Sequence, residues 1–270
     1  KFFHYKPKLC AHSRNEQIGC PACIDVCSAR AIRSDASLKG KTSSAPRRRN
    51  LAESATPDVG GQGGGITVNP HLCIGCGACT TVCPSGALAY ATPNTVDQGK
   101  VLRTLLSTYA KAGGQSAALL IHSQDAGVRI VEDLGRAART DKAVRGVPAR
   151  LMPLAVWHTA SIGIDLWLSA IALGAADVWV LATDEEAPEY RVALREQMAV
   201  AQTILNGLGY AGTHLRLIEA ASARELDAAL QAPPSQAVSK AATLSPQADK
   251  RATLDLAIDH LLTHAPTAAE

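Results

Sequence analysis

Cys73-Ile74-Gly75-Cys76-Gly77-Ala78-Cys79-Thr80-Thr81-Val82-Cys83-Pro84 sets four thiols at the C-x2-C-x2-C-x3-C-P spacing that ligates a [4Fe-4S] cube. Three thiolates within seven residues wrap one face of a cube. In chains with two clusters the fourth crosses to the other. Gly75 and Gly77 are the places where the loop needs positive φ, so that its N–H groups turn toward sulfur. A second set of cysteines is therefore required.

It lies upstream, as Cys10-x9-Cys20-x2-Cys23-x3-Cys27. The last two spacings are those of the first motif, and a regular copy would have its first cysteine at Gln17. Ala11 to Gly19 reads as an insertion that leaves Cys10 as a displaced ligand; the alternatives are a free thiol, with another group or a three-iron cluster filling the gap. Cys27-Ser28-Ala29-Arg30-Ala31-Ile32 repeats as Cys83-Pro84-Ser85-Gly86-Ala87-Leu88, the pattern C-[SP]-x-x-A-[IL] of an internal duplication. Crossed ligation then gives one cluster on Cys27, Cys73, Cys76 and Cys79 and another on Cys10, Cys20, Cys23 and Cys83. All eight cysteines are used. Zinc favours two separated pairs around one tetrahedral ion, and disulfides favour small secreted domains, so both suit this spacing less well.

The 270 residues suit two domains, and 47% hydrophobic composition is enough for an ordinary core. The first residue is Lys1, as expected for a piece of a longer reading frame or a processed chain. The most apolar stretch, Ile162 to Ala176, is broken by Asp165 and stopped by Asp177, so no membrane span is expected. The expected location is the cytoplasm. The net charge of +3 hides an asymmetry: residues 1–50 hold 11 Lys/Arg against 3 Asp/Glu, and the remainder holds 16 against 21. Part of the excess offsets anionic clusters, and part suits an acidic partner. Arg47-Arg48-Arg49 has no interleaved aromatics and reads as a solvated loop, with no nucleic acid bound. It sits in the Ser-, Gly- and Pro-rich segment Ser34 to Gly65, which reads as a flexible insertion. Short strands at Lys1 to Lys6 and Ile66 to Asn69 are expected to pair over the clusters. Residues 1–92 hold few large apolar side chains, so metal must supply part of their stability.

Beyond Pro93 the cysteines stop and helix alternates with strand, which calls for a mostly parallel sheet. Helices are expected at Thr95 to Ala112, Val128 to Arg139, Ile162 to Leu173 and Glu189 to Leu208. Strands are expected at Ala117 to His122, Ala149 to Val156, Val178 to Ala182 and His214 to Ile218. Leu194, Met198, Ala201, Leu205 and Leu208 make one buried stripe, which Gly209 ends. From Ala221 the chain is Ala-rich, with Pro233-Pro234 and a last helix near Leu254 to Leu262, and a mobile terminus is expected. Gly207 to Gly212 fits G-x-G-x-x-G but ends a helix, the reverse of a dinucleotide site. Asp184, Glu185 and Glu186 read as an exposed loop opening a helix. His158, Ser161 and Asp165 lack a nucleophile elbow, and His158 reads as a strand-end or helix-cap residue. Trp157, Trp167 and Trp179 read as core or interface aromatics.

Residues 1–92 resemble dicluster [4Fe-4S] ferredoxin domains, with the first motif altered by the insertion and by Ser28 in place of proline. The whole is similar to the C-terminal part of larger bacterial multi-cluster ferredoxin-type proteins. Residues 149–220 resemble the delta-subunit family of methyl-viologen-reducing hydrogenases: Ala172-Leu173-Gly174-Ala175-Ala176-Asp177-Val178 parallels its A-x-x-x-G-A-D-G-V stretch. Arg191 to Gly209 and Leu215-Arg216-Leu217 parallel its long helix and closing strand. That family's own cysteines are replaced here by Trp157-His158 and Thr183-Asp184. The implied fold is α+β followed by α/β: a ferredoxin-like dicluster domain at 1–92 with the insertion at 34–65, an α/β docking domain at 93–220, and a helical or flexible tail at 221–270. The implied function is transfer of single electrons by two [4Fe-4S] clusters to a redox partner, either heterodisulfide-reductase-like or flavin-containing, in a chain that is a component and not a catalyst by itself. Two alternatives stay open: an oxidoreductase subunit whose α/β half binds flavin, nucleotide or substrate, and a binding module with structural clusters.

Overall fold

Residues 2–14, 19–38 and 64–267 are described in the computed structural model. Position Gln17 and most of the expected insertion at 34–65 lie outside them. The cysteine-rich half runs β1 (Phe3–Tyr5), α1 (Ala11–Arg14), α2 (Ala22–Asp25), β2 (Ile32–Ser34), β3 (Ile66–Val68), α3 (Ala78–Thr81) and β4 (Leu88–Tyr90). The pairing expected between the strands at 1–6 and 66–69 does not form. Instead β1 pairs antiparallel with β4, Phe3 opposite Tyr90, and β2 pairs antiparallel with β3, Ile32 opposite Val68. The duplication explains the difference, because each ribbon joins the strand entering one cysteine motif to the strand leaving the other. Arg30 and Gly86 occupy the same place in the two copies, and both have positive φ, +48° and +66°.

The second half runs α4 (Thr95–Lys111), β5 (Ala118–Ser123), α5 (Ala126–Thr140), β6 (Leu151–Val156), α6 (Ile164–Ala172), β7 (Asp177–Ala182), α7 (Pro188–Gly207), β8 (Leu215–Glu219), α8 (Ala223–Ala229) and α9 (Lys250–Thr263). Its four strands form one parallel sheet in the order β6-β5-β7-β8. The central strands β5 and β7 are buried at every residue, so both faces must be covered. Alternate side chains divide between two cores. Leu119, Ile121, Val178 and Val180 face α4, α6, α7 and α9, while Leu120, Trp179 and Leu181 face α5 and α8. At the strands' N-terminal end the buried Asp177 carboxylate accepts from Arg150 Nη1 at 2.6 Å, and the same guanidinium lies 5.3 Å from the Trp179 ring centre.

The long helix keeps its expected stripe. Leu194, Met198, Ala201 and Leu205 are buried, and Gly209 ends the helix at φ +83°. The Gly207 to Gly212 run forms that helix end and the turn into β8, so it presents no helix N-terminus to a phosphate. Where composition suggests a mobile terminus, α9 instead packs along α6 with Ala257 and Leu261 fully buried. The physical reason is local: Asp249 caps the helix by accepting from Ala252 N at 3.0 Å, and the apolar stripe then closes the core beside Ile171. Leu261→Ala is expected to lower unfolding free energy by about 2–5 kcal/mol, the usual cost of a Leu cavity in a core. Denaturant titration checks it, and a change near zero would mean that the helix is not part of the cooperative unit.

Candidate iron–sulfur centre

Four of the eight cysteines line one small cavity: Cys10, Cys20, Cys23 and Cys83, walled by Ala22, Ile66, Ala87 and Leu88. Cys10 reaches it from a tight turn, its N–H donating to Pro7 O at 3.1 Å. The returning chain passes so close that a Cβ on Gly19 would sit 2.6 Å from the Ala11 carbonyl oxygen, which allows the excursion after Cys10 to close beside Cys20. Cys23 comes from α2, and Cys83 follows α3 from the other copy of the motif. Cys10, Cys23 and Cys83 are all buried. The Tyr5 hydroxyl lies against both the Cys10 thiol and Ser13 Oγ.

The remaining thiols, Cys27, Cys73, Cys76 and Cys79, act on one another. Burial pushes Cys79 up first, and the neighbouring thiols of Cys76, Cys23, Cys73 and Cys27 add to it. Cys76 is likewise pushed up by burial, with Cys27 and Cys73 adding. In the other group burial pushes Cys23 to about 12, helped by Cys10, Cys83 and Cys20. Cys23 also acts on Cys79, so the two groups approach each other where α2 packs on α3. Burial thus favours the neutral thiol at Cys23, Cys76 and Cys79, and iron bound there would supply the charge that makes them thiolates. Among the described residues no three Cys, His, Asp or Glu side chains converge on a point fit for one metal ion. A lone tetrahedral ion would draw its sulfurs to about 2.3 Å from one centre. Cys10, Cys20, Cys23 and Cys83, set around one cavity, fit a cube, which would stand between its ligands.

Backbone groups finish the environment. Gly75 and Gly77 have φ +74° and +89°, as the motif requires. Ala31 N donates to Cys27 Sγ at 3.3 Å, and Cys76 accepts from the backbone of Ala78. The Phe2 ring covers Gly75 at a distance no side chain there would permit, and the Tyr90 hydroxyl donates to Gly75 O at 2.6 Å.

The α/β half grips the same loop. A Cβ on Gly77 would meet Ser161 Cα at 2.8 Å, Thr81 Oγ1 donates to Ala160 O, and Gln197 Nε2 donates to Thr81 O at 2.9 Å. Lys250 Nζ donates to Thr80 O at 3.1 Å and Thr81 O at 2.6 Å, and Arg251 Nε to Pro84 O at 3.4 Å. Val26 and Ala78 accordingly belong to the same apolar cluster as the core of the α/β half. No local pattern marks Gln197 or Lys250, because each meets the loop from more than a hundred residues away. His158 caps as expected, its Nδ1 accepting from Ala160 N at 3.1 Å. Ser161 Oγ is spent on His158 O, so it is no activated nucleophile.

The acidic run departs from its reading as an exposed loop. Asp184 and Glu185 are exposed, but Glu186 is buried and accepts from Thr159 Oγ1 at 2.8 Å and Thr183 N at 2.7 Å. It thereby ties the loops that follow β6 and β7. Trp167 and Trp179 are core residues, whereas Trp157 is 59% exposed.

No curated protein matches the chain. Two protein-family models do, and both are described as 4Fe-4S dicluster domains. One covers residues 65–128, from β3 through Cys83 into α5. The other covers residues 18–87, which takes in every cysteine but Cys10, so this stretch is similar to the dicluster ferredoxin domains whose ligand spacing it repeats.

Proposed function

We propose that the chain is an electron-transfer module that holds two [4Fe-4S] clusters on crossed ligands, Cys27, Cys73, Cys76 and Cys79 for one and Cys10, Cys20, Cys23 and Cys83 for the other, and passes single electrons to a redox partner. The observation that supports it best is the cavity where cysteines from both ends of the duplication meet: Cys83 stands with Cys10, Cys20 and Cys23, away from its neighbours in sequence. When bound, each cube would change by one electron, at a potential within the roughly −700 to +450 mV range open to such clusters. The chain's own part is to hold and insulate. Burial of Cys10, Cys23 and Cys83 keeps water from the sulfurs, and the amides of Ala31 and Ala78 donate to sulfur, which favours the more negative, reduced state. Contact between α2 and α3 keeps the two ligand groups adjacent, as transfer between them requires.

The partner in this reading is a redox protein with an acidic face, heterodisulfide-reductase-like or flavin-containing. Lys6, Lys8, Arg14, Arg30 and Arg33 are exposed around the cysteine-rich half and complement such a face. In this reading the parallel sheet, in the half that resembles the hydrogenase delta-subunit family, serves as a scaffold that grips the cluster loop through Thr81, Gln197 and Lys250. Among the described residues no helix is long and apolar enough to cross a membrane; unbridged thiols suit the reducing cytoplasm.

Anaerobic purification with iron and sulfide counting, followed by low-temperature EPR, tests the reading. About eight irons per chain are expected from two cubes, together with reversible one-electron reduction. Zinc, or no metal, in oxygen-protected protein would sink it.

A further inference from the structure

We propose that Lys250, the first residue of the C-terminal helix, is a potential-setting residue: its half-buried ammonium, held on the loop between Cys79 and Cys83, raises the reduction potential of the clusters those cysteines serve. The inference rests on the two-cluster reading above and concerns how the chain tunes that site.

The placement is specific. Lys250 Nζ donates to Thr80 O and Thr81 O, the carbonyls directly after Cys79, a ligand of the first group, and ahead of Cys83, a ligand of the second. One cation therefore lies beside the single turn of chain that serves both clusters. The approach is built in. Gly86, three residues after Cys83, has φ +66°, and a Cβ there would stand 3.0 Å from Lys250 Cβ, so the glycine leaves room for the helix to dock. Asp249 fixes the start of that helix, as described above, and Ala257 and Leu261 anchor its far end.

A buried carboxylate, Asp165, lines the same cavity and acts on Lys250 electrostatically without forming an ion pair with it. Asp165 sits at the start of α6, one turn from the loop that receives Gly77. Gln98 lines this cavity as well, and its buried Nε2 has no hydrogen-bond partner. Lysine and aspartate thus act on each other across a polar space, and the carboxylate offsets part of the lysine's effect on the clusters.

The sign follows from elementary electrostatics. Reduction adds one negative charge to a cluster, and a nearby cation stabilises that state more than the oxidised one, so the potential rises. A partly buried charge is screened less than a surface one. Lys6, Lys8, Arg14, Arg30 and Arg33 are all exposed, whereas Lys250 is half-buried and hydrogen-bonded to the loop itself. Arg251 lies next to it, but its 3.4 Å contact to Pro84 O is at the exposed surface.

The test is a spectroelectrochemical titration of the full-length chain, after iron counting of each protein. Lys250→Met is expected to keep its iron and to become harder to reduce. At the wild-type midpoint its reduced-to-oxidised ratio should fall about tenfold, which is 59 mV for a one-electron couple. The shift should persist at high salt, and Lys250→Arg should return the midpoint toward wild type. A tie that is merely structural would not give this charge-specific rescue. Asp165→Asn, which removes the opposing carboxylate and keeps the lysine, should move the midpoint the other way, and it decides the matter alone if the methionine variant does not load iron. An iron-loaded Lys250→Met at the wild-type midpoint overturns the inference, as does an unmoved Asp165→Asn where that variant decides. Wild-type protein without clusters overturns the underlying function instead, and is seen before any variant is titrated.

Discussion

Cys27→Ala is expected to cost the chain the cluster held by Cys73, Cys76 and Cys79, and to leave the one held by Cys20 and Cys23, its own neighbours in sequence. Iron should fall from about eight to about four per chain. Cys76→Ala should give the same residual EPR signal as Cys27→Ala. Cys83→Ala should match Cys20→Ala, with the other signal remaining. Local ligation predicts the opposite pairing, so four variants and one spectroscopic comparison decide between them. Crossing is favoured by the cavity that Cys83 lines together with Cys10, Cys20 and Cys23 of the other copy. A fall in thermal stability should accompany each loss. The small core of this half consists of Phe3, Ile32, Ile66, Ala87 and Leu88 together with the cysteines themselves, too little to hold without the metal. Retention of full iron in Cys76→Ala would contradict the ligand assignment outright.

The dicluster motifs were legible in the sequence because cluster binding needs short, fixed spacings, and the repeat C-[SP]-x-x-A-[IL] shows where the second copy lies. Helices and strands of the α/β half were legible for a different reason: periodicity is local, and the stripe from Leu194 to Leu205 is buried as its spacing demands. What the sequence hid is long-range. The choice of β4 as partner for β1 depends on how two copies of one motif interlock, and no residue in either strand states it. Glu186 looks like any helix-opening acid until the loops after β6 and β7 converge on its carboxylate. Lys250 is one of many lysines, marked only by the carbonyls it reaches on a loop far back in the chain. The terminus reads as weakly held because the stretch from Ala221 is Ala-rich and broken by Pro233-Pro234; Ala257 and Leu261 hold it because they close a core that already exists.

Cys10→Ala should remove or strip the second cluster while leaving the first untouched. Total iron should drop from about eight to between about four, if the cube is lost, and about seven, if three irons stay on Cys20, Cys23 and Cys83. The expectation turns on how the ten-residue step from Cys10 to Cys20 is closed. A regular motif needs only two residues between its first cysteines, and here α1 turns the chain while Gly19 brings it back against Ala11 and His12. That closure places Cys10 in the same cavity as Cys20, with only 8% of its surface exposed, and sets the Tyr5 hydroxyl against its sulfur. A thiol so enclosed beside three others has no solvent to face and no disulfide partner. Ligation is the role that uses its position. The comparison with Gly19→Val sharpens the point: a side chain there collides with the Ala11 carbonyl, so the excursion cannot close and Cys10 is displaced without being removed. Both variants should therefore lose the same EPR signal, and both keep the signal that Cys76→Ala abolishes. Unchanged iron and spectra in Cys10→Ala would make that residue a bystander and require another group at the fourth corner of the second cube.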